Sequence, residues 1–359
     1  MKVILVIPAF VLAGAETMTK NLAIALKRIG EDVRVISLYD YRSSLTEQIE
    51  KEGIKIYYLN KKKGLDFSMF SKLKKIFREE KPDVVHTHLY SFEYAIPAAI
   101  KCKVPVRIHT VHNIAEKEFG RLQRMLAKFF YKRKLLTAVG ISPNIKESII
   151  KEYKLRENDV QMVYNGIDFS KCLIKSDYSV SQTLNLLHIG RFSEAKNHIL
   201  MIDTVKKLLD EGVDVRLSFV GDGTLINDCR EKVKEYELSD RISFLGLSDN
   251  VFPIMHEADV FILPSIWEGM PMTLIEAMGT GLPIIASNVG GVPDMLKNGE
   301  EALLIKPCVD ELSEGIKRLA ASEELRRKLG KNALFRSADF SSDVMAKKYV
   351  SISEELKRD

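Results

Sequence analysis

Short runs of β-branched and other apolar residues alternate along this chain with longer stretches whose apolar positions recur every three to four residues. That alternation is the signature of βαβ units and a parallel, doubly wound sheet. In the first half the runs fall at 3–8, 33–38, 54–59, 83–88, 106–111, 136–141 and 160–165, with amphipathic stretches between them, of which 16–30 is the clearest. A polar stretch without apolar period, 170–183, interrupts the pattern, which restarts with runs at 184–190, 215–221, 241–246, 258–264 and 282–287. The expected fold is therefore α/β, with two Rossmann-like doubly wound domains facing across a cleft. The boundaries read as a first domain over 1–172, a linker over 173–182 and a second domain over 183–338. Residues 339–359 form a C-terminal helix expected to pack back on the first domain. Open sheets of this kind bind ligands at the carboxyl ends of their strands, so the site candidates are sought there.

Composition narrows the class. With 359 residues the chain is too long for one ordinary core, and its 46% hydrophobic and 29% charged residues are those of a soluble globular enzyme. No run approaches the roughly 20 apolar residues that span a bilayer. The net charge of +5 conceals a division: 31 Lys and Arg face 19 Asp and Glu through Lys171, and 23 face 30 beyond it. A basic half suits an anionic surface or an acidic substrate, and charge alone does not choose between them. Cys102, Cys172, Cys229 and Cys308 are scattered without a Cys-x-x-Cys pair, which fits reduced thiols better than a disulfide framework. The apolar N-terminus superficially resembles a secretory signal, but Pro8 interrupts it and an amphipathic stretch follows at once. A cytoplasmic setting is expected, with the inner face of the membrane as an open extension of it.

The chemistry concentrates in a few loops. Glu268 and Glu276 bracket the place where an apolar strand gives way to a helix, with Gly269 and Pro271 between them and the amides of Met270, Met272 and Thr273 near the helix start. Carboxylates accept hydrogen bonds from sugar hydroxyls and free amides receive phosphate, so a loop joining both suggests a nucleotide-sugar. Taken alone, the two could be ordinary helix glutamates. Arg191 and Lys196 lie five residues apart between a strand and a helix and could neutralise a diphosphate; a solvated surface loop would carry the same residues. No Asp-x-Asp occurs, so no metal and no cofactor are expected and the basic pair is the candidate leaving-group stabiliser. The stretch Ala13-Gly14-Ala15-Glu16 allows close backbone approach at a helix start, or is only a turn. It is not a GxGxxG fingerprint.

His86, His88, His109 and His112 lie on or just past two strands expected to be neighbours. His112, beyond its strand, is the one placed to reach a substrate hydroxyl, while His86 and His88 are expected to satisfy local hydrogen bonds. Residues 117–134 place Phe119, Leu122, Leu126, Phe129 and Phe130 near one helical face and seven Lys or Arg on the others. Such a helix either docks its apolar face on its own domain or lies at an anionic membrane surface. Lys61 to Lys63 and Lys72, Lys74 and Lys75 add to that charge. No nucleic-acid-reading motif is present, and nucleic acid is not an expected partner.

Together these segments resemble retaining glycosyltransferases of the GT-B fold, in family 4. The matching pieces are AGAE at 13–16, HTVHN at 109–113, VYNGID at 163–168, GRFSEAKN at 190–197, VGDG at 220–223, FLG at 244–246, EGMPMTLIEAM at 268–278 and SNVGGVPDML at 287–296. The resemblance implies that Glu268 bonds donor-sugar hydroxyls, Glu276 the ribose hydroxyls, and Arg191 with Lys196 the diphosphate. It places His112 beside the reacting carbon, Gly246 and Leu247 near the base, and Gly14 in a glycine loop whose usual leading glycine is Ala13 here. It also implies a nucleotide-sugar donor, a saccharide or lipid-linked acceptor, and a role in cell-surface polysaccharide assembly. A nucleotide-sugar epimerase of the same architecture and a catalytically silent sugar-nucleotide-binding subunit are the competing readings.

Overall fold

The computed structural model describes residues 1–358, which form two compact units. Unit 1 comprises Met1–Asp168 and the C-terminal segment from Phe340 onward; unit 2 comprises Phe169–Asp339.

In unit 1 seven parallel strands, β1 (Lys2–Ile7), β2 (Asp32–Ser37), β3 (Lys55–Tyr58), β4 (Val84–His88), β5 (Val106–Val111), β6 (Thr137–Gly140) and β7 (Val160–Met162), lie in the order β3-β2-β1-β4-β5-β6-β7. Unit 2 has six, β8 (Leu184–Ile189), β9 (Val215–Val220), β10 (Ile242–Phe244), β11 (Val260–Leu263), β12 (Ile284–Ser287) and β13 (Leu303–Ile305), ordered β10-β9-β8-β11-β12-β13. Both are the Rossmann-like arrangement expected from the alternating pattern. Their central strands are apolar on both faces because helices cover both: Ile4, Leu5, Val6 and Ile7 are wholly buried, as are Val260, Phe261 and Leu263. The strand order reverses between β1 and β4 and again between β8 and β11, and at such switch points the loops splay apart to leave a crevice.

The last helix, Ser342–Arg358, packs on the first, Gly14–Arg28, and on β5. It is held there by a bridge between Ile167 and Ser341, by Arg28 paired with Asp168 at 3.1 Å and Asp343 at 2.6 Å, and by Asn21 donating to the Gly166 carbonyl at 3.0 Å. Residues 173–182 contain no helix or strand, yet Tyr178 is buried and donates to the Gly281 carbonyl at 3.0 Å.

Two local features depart from the sequence pattern. The Leu303–Ile305 strand is an addition at the sheet edge, three residues long and preceded by charged residues that mask its period. The basic stretch at 117–134 is not one helix. A short helix, Ala115–Glu118, ends before Gly120, whose extended backbone (φ −66°, ψ 165°) starts a second over Arg121–Lys132. Its apolar residues divide accordingly: Phe119 and Phe130 are buried, whereas Leu122 is 81% exposed and Phe129 45%.

Candidate active site

Glu268 sits in the loop after β11, on the switch-point side of the unit 2 sheet. It is 8% exposed, and its Oε1 accepts from Lys196 Nζ at 2.6 Å and from Ser265 Oγ at 2.6 Å. Lys196 reaches it from the single turn Glu194–Lys196 that follows β8. The two loops are stitched by their backbones: Ile266 N donates to the Ala195 carbonyl at 2.8 Å, and Asn197 Nδ2 to the Pro264 carbonyl at 3.3 Å. A third loop, after β12, arrives at Gly290, whose φ of +55° suits glycine. A Cβ at that position would overlap the Glu268 carbonyl, so only glycine allows this approach.

A second set of contacts joins the loops after β8, β9 and β10. Gly190 N donates to the Val220 carbonyl at 2.9 Å, Phe192 N to the Asp222 carbonyl at 3.0 Å and Gly221 N to the Gly246 carbonyl at 2.8 Å. Gly246 has φ +73° with open space around its Cα, and Leu247 beside it is 59% exposed. Arg191 stands exposed on the same β8 loop as Lys196. Gly269 follows Glu268 directly. Glu276 is half-buried in the helix Met272–Thr280, whose first turn holds Met272 and Thr273 and leaves backbone N–H groups without intrahelical partners. Met270 and Met272 bury their side chains, which fixes the loop that carries those amides. Unit 2 thus brings Lys196 and Glu268 into contact, and sets Arg191, Gly269, Met270, Met272, Thr273, Glu276, Gly246 and Leu247 on the loops and helix around its carboxyl edge.

Unit 1 carries Gly14 and His112. Gly14 is the first residue of its helix, two residues before the start the sequence suggests. His112 follows β5; its Nε2 meets His88 Nδ1 at 3.1 Å, and its backbone N donates to Glu118 Oε1 at 3.2 Å. Burial pushes the His112 imidazole down to about 4, so the ring is neutral near pH 7. Burial acts oppositely on Glu118, raising its carboxyl to about 7 despite backbone donors from His112 and Asn113. Behind this pair His86 Nε2 meets Thr110 Oγ1 at 2.7 Å, and Thr110 Oγ1 meets Tyr349 OH of the last helix at 2.7 Å. The hydrogen bond expected of His88 is made to the His112 ring.

Two residues of the unit 2 loops went unnamed in the sequence analysis, Ser265 and Gly290. Ser265 was visible only as a hydroxyl three residues before Glu268, and Gly290 only as half of a Gly-Gly pair. Among the described residues no group of three or more His, Cys, Asp or Glu is arranged to hold a metal ion.

Two family models divide the chain between them. One, described as Glycosyltransferase Family 4, matches residues 12–171, and another, Glycosyl transferases group 1, matches 176–334. The chain is 31% identical over 264 residues to the UDP-Gal:alpha-D-GlcNAc-diphosphoundecaprenol alpha-1,3-galactosyltransferase of Escherichia coli, covering 67% of each. It is 28% identical over 370 residues to the GalNAc-alpha-(1->4)-GalNAc-alpha-(1->3)-diNAcBac-PP-undecaprenol alpha-1,4-N-acetyl-D-galactosaminyltransferase of Campylobacter jejuni, covering 99% of each. Among solved structures, Anabaena Alr3699/HepE in complex with UDP and glucose superimposes with a TM-score of 0.86 over 99% of this chain and 100% of that one, at 18% identity, which is a likeness of fold. The chain belongs to the GT-B glycosyltransferases of family 4. It is accordingly a nucleotide-sugar-dependent enzyme.

Proposed function

We propose that this enzyme moves a hexose-type sugar, with retention of anomeric configuration and without a metal, from a nucleoside-diphosphate sugar to a saccharide or lipid-linked acceptor in cell-surface polysaccharide assembly. The observation that carries the reading is the part-buried contact of Lys196 with Glu268 at the carboxyl edge of the β8 and β11 strands. An ammonium held at 2.6 Å by a carboxylate is kept in place for a diphosphate, and the carboxylate is kept in place for sugar hydroxyls.

In this mechanism negative charge grows on the diphosphate as the glycosidic bond breaks. Arg191, Lys196 and the amides of Gly269, Met270, Met272 and Thr273 stabilise it more in the transition state than in the ground state. Glu268 holds the sugar, Glu276 the ribose, and Gly246 with Leu247 the base, while Gly14 lets the backbone approach the phosphate or acceptor. His112, neutral near pH 7, bonds a substrate hydroxyl beside the reacting carbon. The departing diphosphate takes the acceptor proton, so no strong protein base is required.

The undecaprenol-linked acceptors named for the Escherichia coli and Campylobacter jejuni relatives favour a lipid-linked acceptor here. That reading places the enzyme in the cytoplasm at the anionic inner face of the membrane. The helix Arg121–Lys132 supports it, with Leu122, Met125 and Phe129 exposed among Arg121, Arg124, Lys128 and Lys132. No helix among the described residues is long and apolar enough to cross a membrane.

The test is release of nucleoside diphosphate from a panel of UDP-, GDP- and ADP-sugars, with and without saccharide and lipid-diphosphate acceptors. Acceptor-dependent release that falls by about 100-fold or more in Lys196→Ala and Glu268→Ala is expected. Net epimer formed without acceptor would mark an epimerase instead, and sugar-nucleotide binding without turnover would mark a silent subunit.

A further inference from the structure

The turn between β3 and the helix Ser68–Glu80 inverts the usual placement of polar and apolar side chains. Two of its charged residues, Lys61 and Asp66, face inward. Asp66 is 8% exposed and accepts from Lys62 N at 3.0 Å, Ser68 N at 3.0 Å and Ser68 Oγ at 2.6 Å. These donors draw its carboxyl down to about 2, so it stays ionised as the internal brace of the turn. Lys61 is 7% exposed, donates to the carbonyls of Lys62 and Gly64 at 3.0 and 2.5 Å, and lies over the rings of Tyr39 and Tyr94. Met69, fully buried, pins the far side to the unit 1 core.

The apolar residues are turned out. Leu65 is 76% exposed and Phe67 86%. A turn with this much internal hydrogen bonding is ordered before it meets any partner, and it presents two large hydrophobic side chains to water at a cost that folding alone does not explain. The charge along the turn itself is mostly basic, with Glu52 before it and Glu79 and Glu80 at the far end of the helix that follows. From Gly53 to Arg78 there are eight Lys or Arg and a single acidic residue, which is the inward-facing Asp66. Lys62 and Lys63 are exposed beside the tip, and Lys75, exposed further along the helix, pairs with Glu79 at 4.0 Å. Because all strands of the sheet are parallel, the turn leaves β3 at the same carboxyl edge from which the chain continues to Gly14 and His112.

We propose that Leu65 and Phe67 form a pre-built wedge that inserts shallowly into an anionic lipid bilayer, with Lys62 and Lys63 on the headgroups. This deepens the membrane-face reading above and rests on it. Two apolar side chains with a few lysines give weak, reversible adsorption that depends on anionic lipid and on salt. A protein partner would have to present a wholly acidic surface to the same lysines and an apolar pocket to both side chains.

The experiment is co-sedimentation of the full-length enzyme with vesicles of equimolar phosphatidylcholine and phosphatidylglycerol, and with phosphatidylcholine alone. The doubly substituted Leu65→Ser, Phe67→Ser protein is expected to bind the anionic vesicles about tenfold more weakly or worse while transferring sugar to a soluble acceptor at the wild-type rate. In Phe67→Trp the emission is expected to shift to the blue on anionic vesicles, with the wild type and its single Trp267 as baseline. If the wild type binds, and Leu122→Ser with Phe129→Ser abolishes binding while the tip variant and Phe67→Trp emission are unchanged, the wedge is refuted and the membrane reading stands. If the wild type stays in the supernatant with both vesicle types, wedge and membrane reading fail together, and the glycosyltransferase assignment is untouched.

Discussion

Lys196 and Glu268 satisfy each other in a place where Glu268 alone would be a buried charge. Glu268 is nearly enclosed and Lys196 only part-buried, so removing either partner also affects folding, and the Lys196→Ala and Glu268→Ala activity losses must be read beside their unfolding curves. Gly290→Ala separates the two effects. It leaves every charge in place but drives a methyl into the Glu268 carbonyl, at a φ that penalises any side chain. Donor turnover is expected to fall at least about tenfold, because displacement of a positioning loop by a fraction of an ångström suffices for that. Unchanged donor kinetics in Gly290→Ala would mean that Glu268 is not held by this approach. The acids and the basic pair were legible because charged residues are conspicuous in apolar surroundings. Ser265 and Gly290 were not: one matters through a hydroxyl and the other through the absence of a side chain, and neither leaves a periodic or charged trace.

At the level of elements, strand periodicity was legible wherever helices cover both faces, since burial on both sides leaves an unbroken apolar run, as in β1 and β11. It failed at the edge strand β13, and it carried the 117–134 helix through Gly120, where amphipathic spacing continues although the backbone does not. Pairing between neighbouring strands was legible only as adjacency. His88 and Thr110 are partners in the β4 and β5 register, which sets His88 beside the His112 ring that follows. If His112 acts as proposed, His88 is the residue that orients its ring. His88→Ala is expected to lower kcat about tenfold with little change in donor KM, and His88→Asn, whose amide can replace Nδ1, to recover part of it. Equal losses in both variants would reduce His88 to a packing role.

Across the whole molecule the buried histidines set the response to acid. Desolvation lowers His86 and His198 to about 3 and His112 to about 4, and holds His88, His109 and His188 well below their ordinary value. Each is neutral when folded and protonates near 6.5 when unfolded, so stability is complete above that value and drains away as pH falls through the window beneath it. Glu118 runs the other way: its raised carboxyl favours the fold at low pH and loses that advantage as pH rises through about 7. Five buried histidines and the part-buried His112 outweigh one carboxyl. The urea midpoint is expected to drop steeply between about pH 6.5 and about pH 5. A flat midpoint across that interval would show that the rings are hydrated in the folded protein.

Unit 1 is assembled from both ends of the sequence, and Tyr349 near the C-terminus supplies the hydroxyl that Thr110 meets beneath the histidines. During synthesis the first seven strands therefore emerge with one flank bare, and the whole of unit 2 is translated before the segment that covers it. The later unit has everything it needs to fold on its own schedule, whereas the earlier one must wait. A translation product interrupted before Phe340 would lack the hydroxyl that Thr110 meets and the helix that packs on Gly14–Arg28.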